Sequence, residues 1–243
     1  MKMQAFAIRN AKEILRDPLS MIFSLGFPLV LLLLLTAIQA NIPVDLFEIQ
    51  ELTPGIAIFG LSFITLFSAT LISKDRESAL LQRLYTTPLS PAGFIFGYVL
   101  PLLPIAAAQS LVCYAAAVIL GLPLTIRILY AVAMILPVST LYISLGLLCG
   151  SVLNARQVSG ICGALFINLS AWLSGTWFDL DLVGGAFKRI AYALPFVHAV
   201  ELERCLLNQD HSSLFSHLPW VLGYAAGTTL LAVFLFLRQM KKQ

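Results

Sequence analysis

Six stretches of about twenty apolar residues, the length that crosses a bilayer as a helix, recur along this chain. They run over 21–40, 54–73, 92–120, 127–152, 157–175 and 218–237. The chain of 243 residues is 59% hydrophobic and 11% charged, with a mean hydropathy of +0.91. A soluble domain carries about 25% charged residues, so this chain has too few polar groups to cover its apolar surface, and lipid is its solvent. A lipid-exposed span must satisfy its backbone internally, which leaves the helix for each run. The pattern predicts an all-α integral membrane protein of six transmembrane helices in one domain over 1–243. The third span, with Pro101 and Pro104 inside it, is expected as one kinked helix. The first run is too long for a signal-peptide core and lacks a clear A-x-A cleavage site, so it is expected as a retained anchor. A net charge of +3 is too small to argue for nucleic acid.

Lys and Arg bias sets the orientation. With the N-terminus inside, the inner segments hold Lys2, Arg9, Lys12, Arg16, Lys74, Arg76, Arg83, Arg156, Arg238, Lys241 and Lys242, eleven of the 15 basic residues. Arg127, Lys188, Arg189 and Arg204 fall outside. Most acids lie outside, which agrees. The expectation is a multi-pass protein of the cell (inner or plasma) membrane with both termini cytoplasmic.

Two cytoplasmic pieces are amphipathic. In FAIRNAKEILRDP, within the first 18 residues, Ala7, Ile8, Ala11, Ile14 and Leu15 share one helical face, and Arg9, Lys12, Glu13, Arg16 and Asp17 the other. Phe6 falls outside this division, and Pro18 bends the chain ahead of span one. The helix suits the headgroup plane, but its mixed charges differ from the Lys/Arg-rich face of a lipid-reading helix. The second piece is SKDRESALLQRLYTTPLS, between spans two and three. A helix over 75–86 would cluster Leu80, Leu81, Leu84 and Tyr85, with Glu77 an awkward charge among them and Thr87-Pro88 as the stop. It is either a charged topology signal or a helix that docks in the groove of a soluble partner.

Catalytic signatures are missing. No G-x-x-x-x-G-K-[ST] occurs, so any ATP is bound by another chain. His198, His211 and His217 lack metal-ligand spacing, and no metal site is expected. Cys113, Cys149, Cys162 and Cys205 form no C-x-x-C pair and read as small buried hydrophobes. Ser62, Ser68, Ser139 and Ser144 have no base at span depth and read as backbone-bonded helix serines. No Lys, Arg, Asp or Glu lies deep in a span, which argues against a proton relay. Gln109 and Asn168, with Trp172 one turn beyond Asn168, either line a substrate path or serve interhelical packing. Gly146-x-x-x-Gly150 and Gly223-x-x-x-Gly227 have close-packing spacing, within one subunit or between two. The segment 176–216 is expected to form short helices that dip in from the outer side ahead of span six.

Three patches resemble one family, the type-2 permeases of ATP-binding-cassette (ABC) transporters. RESALLQRLYTTP is similar to that family's R-E-x-G-T-L-E-x-L-x-x-T-P segment, with Ser78-Ala79 where Gly-Thr is usual and Gln82 where Glu is common. RNAKEILRDPLSMIF resembles its interface helix, which often ends in R-D-P. LSGTWFDLDLVGGAFKRIAYALPFVHAVELER, residues 173–204, resembles its last extracytoplasmic segment, with Asp179 at a position where proline is frequent. The three patches, in order, span nearly the whole chain.

The resemblance implies two six-helix subunits, a homodimer or a pair with a related permease, resting on nucleotide-binding ATPase subunits that carry the ATP and magnesium. This chain itself would bind no cofactor and would not be an enzyme. Contact with the ATPase is implied for Arg9, Lys12, Glu13, Arg16 and Asp17 on the interface helix. On a coupling helix between spans two and three it is implied for Asp75, Arg76, Glu77, Leu80, Arg83 and Leu84. The expected activity is export or flipping of an amphiphile such as a drug-like molecule, a lipid or a modified peptide. The rivals are an ABC-linked immunity or sensor subunit, and a secondary transporter or channel.

Overall fold

The computed structural model describes residues 2–44, 46–78 and 91–240, and those residues form helices with no strand among them. The N-terminal helix α1 is Lys2–Leu15. A short α2, Pro18–Met21, leads through a π turn, Ile22–Gly26, into α3, Phe27–Gln39. The π turn sits one turn ahead of Pro28, whose ring crowds the carbonyl four residues earlier. Then come α4, Ile49–Glu77; α5, Pro91–Ile119; and α6, Ile126–Val152. As expected, Pro101 and Pro104 lie inside one continuous helix.

Among the described residues five helical stretches are long and apolar enough to cross a membrane: Ile22–Gln39, Ile49–Glu77, Gly93–Ile119, Ile126–Val152 and Ser212–Leu235. The run expected at 157–175 is not among them. It is α7, Ala155–Gly160, a π turn, Ile161–Phe166, and α8, Ile167–Leu173, following one another without a break. Arg156, Gln157, Ser159, Asn168 and Ser170 dilute its apolarity. On the far side come α9, Leu180–Val183; α10, Gly185–Ala193; and α11, Pro195–Asn208; the last helix is α12, His211–Met240.

The core is built around α4. Of its apolar stretch 89% is buried inside the protein, against 17% for the stretches in α3 and α12. Its tightest seam is with α6, where Gly146 and Gly150 let the backbones meet. A Cβ at Gly146 would lie 2.4 Å from the Thr65 carbonyl oxygen, and one at Gly150 2.6 Å from that of Ala69. Thr65 Oγ1 donates to the Tyr142 carbonyl at 2.8 Å and Ser68 Oγ to that of Ile143 at 3.1 Å. The first G-x-x-x-G pair is therefore an internal packing device. Gly223 and Gly227 on α12 face open space instead. Ser139 and Ser144 bond the backbone of their own helix as expected, Ser144 also meeting Thr228, whereas Ser62 pairs with the Ser170 hydroxyl across helices instead of with backbone. Val30, Leu33 and Leu34 of α3 and Leu222, Leu230 and Phe234 of α12 are exposed, an outer surface suited to lipid tails.

Candidate coupling surface at the N-terminal helix

The N-terminal helix is anchored by a narrower stripe than its periodicity predicts. Phe6, Asn10 and Ile14, spaced four apart, are its buried residues, whereas Ile8 and Leu15 are exposed. Phe6 is thus the anchor of this helix, contrary to its place outside the expected apolar face. It fits because α5 has Gly97 beneath it. A Cβ there would lie 2.3 Å from the Phe6 ring. Phe94 and Tyr98 close edge-on around that ring at 5.8 and 5.0 Å. Asn10 Nδ2 donates to the Gly97 carbonyl at 2.9 Å.

Beside this contact lies a polar node. Arg9 Nη1 bonds Asp75 Oδ2 at 2.8 Å, and the Tyr98 hydroxyl donates to the same oxygen at 2.9 Å. Arg9 also holds Glu13 at 2.6 Å and Asn10 Oδ1 at 2.8 Å. Asp75 is 1% exposed. One carboxylate therefore ties α1, α4 and α5 together. A charge this deep is tolerable because a guanidinium and a hydroxyl both bond it.

The other expected contact residues divide by role. Asp17 caps α2, accepting from Ser20 N at 3.1 Å and Ser20 Oγ at 2.7 Å. Lys12 and Arg16 are exposed. Asp75, Arg76 and Glu77 form the last turn of α4 rather than a separate coupling helix, because α4 runs past the expected end at residue 73. Each has a distant partner that draws the helix onward. Arg76 Nη1 donates to the carbonyls of Gly150 at 2.7 Å and Leu153 at 3.1 Å, placing a cation at the C-terminus of α6. Glu77 Oε1 accepts from Ala155 N at 2.7 Å, at the start of α7. That bond accounts for a charge that looked misplaced on a helical wheel. Leu80, Arg83 and Leu84 lie outside the described residues.

The proposed path residues do not converge. Gln109 is buried against Gly60, donating to the Ala57 carbonyl at 3.2 Å, and its Oε1 has no partner. Asn168 and Trp172 are both exposed on the outward face of α8, and Asn168 bonds the Ala164 carbonyl of its own helix at 2.7 Å. At the far end of the bundle a cavity of about 390 Å³ opens between α4, the 175–182 segment and α11. Glu48, Glu51, Asp179, Glu201, Trp177 and Tyr192 line it together with Arg204, which bonds Glu51 at 3.0 Å and Glu201 at 2.8 Å.

Asn10, Phe6 and Tyr98 were missed as site residues. The i, i+4, i+8 run of Phe6, Asn10 and Ile14 was visible in the sequence. Nothing local marked Tyr98.

The family model for ABC-2 type transporters matches residues 1–207, from α1 to the last turn of α11. The chain belongs to the ABC-2 type transporter family. Curated proteins give no match to the sequence. This ABC-2 chain is thus a membrane component of an ABC transporter, a multi-pass permease, and the anchored α1 is the start of its family domain.

Proposed function

We propose that this ABC-2 permease forms the translocation path of an ATP-driven exporter or flippase, working as a pair of copies or with a related permease, and takes its work from a separate nucleotide-binding ATPase that holds the ATP and magnesium. The observation that carries this reading is the Asp75 node. Arg9 and Tyr98 meet on one buried carboxylate at the end of the central helix α4. A displacement of α1 by a docked ATPase is transmitted through that node to α4 and α5 instead of dissipating in a loop. Lys12, Arg16 and Lys74 are exposed around it for contact with that partner.

In this reading α7, its π turn and α8 form a sixth span, both termini are cytoplasmic in the cell membrane, and the cavity beside Arg204 is the outer mouth. Asn168 and Trp172 then face a second copy or the path between copies. The substrate is amphiphilic, in keeping with a mouth that combines aromatic and charged walls.

Affinity purification of the tagged chain in mild detergent, followed by an ATPase assay, tests the reading. A stoichiometric ATPase should co-purify and be lost in Leu84→Asp, and Glu77→Lys should leave hydrolysis but abolish transport. A chain that purifies alone, or wild-type transport by both variants, would overturn it. A reporter fused after Gln243 should read cytoplasm, and an external signal would break the six-span topology.

A further inference from the structure

The mechanism above leaves one buried acid unused. Glu203 of α11, in the segment expected to dip in from the outer side, is fully buried. Its Oε2 accepts a hydrogen bond from the Tyr114 hydroxyl of α5 at 3.0 Å, while Oε1 has no partner. One turn along the same face of α5, Ser110 Oγ is also buried and unpartnered. The neighbouring cation is committed elsewhere: Arg204 bonds Glu51, Glu201 and the Gly175 carbonyl.

The other ionisable groups around α11 are likewise engaged. From α12, His217 meets His198 at 2.8 Å. From α10, Lys188 is paired with Asp181, and Tyr192 packs against His198. From α6, Arg127 donates to the Leu207 carbonyl at 2.9 Å and Tyr142 packs against Phe196. From α4, Glu51 is held by Arg204 and Asn208. From α5, Cys113 contacts Gln109. Among the described residues Tyr114 is the one group that bonds Glu203.

We propose that Glu203 is a proton-binding site, neutral while α11 is packed in the bundle and bonded by Tyr114. An ionised carboxylate there would face a single donor and no counter-charge, which a dry site does not tolerate. A neutral acid needs no counter-charge, and its carbonyl oxygen accepts the Tyr114 bond. A divalent cation takes about six to eight oxygens, more than Glu203, Tyr114 and Ser110 offer.

Burial pushes the carboxyl well above the usual carboxylate range, outweighing the opposite pull of the Tyr114 bond. A free Glu titrates near pH 4.3. Docked α11 therefore keeps a proton that undocked α11 releases. Docking is at full strength below about pH 4 and weakens as pH rises, by about tenfold per pH unit, until the docked acid itself ionises. His198 acts with the opposite sign. Burial lowers it, so its contribution is lost as pH falls below the ordinary histidine value. Since α11 also carries Glu201 and Arg204 on the wall of the outer cavity, the Glu203 proton links external acidity to how firmly that wall is held.

Infrared spectroscopy of the purified protein at pH 7 should show a neutral-carboxyl C=O band that Glu203→Gln removes. Should that variant fail to fold, Tyr114→Phe keeps the acid, deletes its bond and should move the band to higher frequency. The wild-type melting temperature should fall from pH 5 to pH 8 more steeply than that of Glu203→Gln. No neutral-carboxyl band in the wild type, a band unchanged in both variants, or identical pH slopes would overturn the proposal. None of these measurements needs an ATPase, so they fail or succeed separately from the transport reading.

Discussion

Asp75→Ala is expected to release the N-terminal helix from the bundle. The alanine removes the shared acceptor of Arg9 and Tyr98 in one step. Arg9 is partly exposed and keeps Glu13, so its loss is the screened value of a surface pair, about 1 kcal/mol or less. Tyr98 is 2% exposed, and its buried hydrogen bond to a charged group contributes about 1.5–3 kcal/mol. The sum, about 2–4 kcal/mol, is large against the whole stability of a domain. Asp75→Asn keeps an acceptor for Tyr98 and should cost about 1 kcal/mol. Two measurements check this. The melting temperature in detergent should fall for alanine and much less for asparagine. Trypsin should cut after Arg9 and Lys12 sooner in Asp75→Ala, because those bonds become accessible once Phe6 leaves Gly97. A helix that stays protected in Asp75→Ala would show that Phe6 and Asn10 suffice as the anchor.

The same node marks where sequence reading stops. Length and apolarity located five crossing helices, because that signal is local and accumulates over about twenty residues. The end of α4 was not local. Asp75, Arg76 and Glu77 look like the start of a charged loop, and what keeps them helical is Arg9, the Gly150 carbonyl and the Ala155 amide, 66 to 78 residues away in sequence. A helical wheel also weighs every apolar residue alike. It grouped Ile8 and Leu15 with Ile14 and set Phe6 aside, whereas the pocket above Gly97 selects Phe6 by shape. Glu203 was hidden for a third reason: an amphipathic segment expected to dip in from the outer side does not say which of its acids is buried, and the packing of α11 between α4, α6 and α12 does.

Gly146→Leu is expected to separate α4 from α6, and Gly227→Leu to leave the fold intact, although both glycines sit in the same G-x-x-x-G spacing. At Gly146 a Cβ meets backbone, the Thr65 carbonyl oxygen at 2.4 Å, with Ser68 Cβ at 2.6 Å. Backbone inside a packed helix cannot rotate away, so the seam must open. Opening it breaks the Thr65–Tyr142 and Ser68–Ile143 bonds as well. Overpacking costs about 1–3 kcal/mol and each interhelical bond about 0.6 kcal/mol, so the loss is about 2–4 kcal/mol at the most buried of the five long apolar helices described. At Gly227 nothing lies within 4 Å of a Cβ, and the groove it shares with Trp220, Tyr224 and Leu231 is open. Leucine there improves helix propensity by up to about 1 kcal/mol and fills the groove. Gly146→Leu should therefore give little folded protein, while Gly227→Leu should keep the wild-type melting temperature. If the groove on α12 receives a second copy, Gly227→Leu will also shift the mass measured in detergent from two chains to one. A fully stable Gly146→Leu protein would mean that α4 and α6 are not joined by the close seam on which the central position of α4 depends.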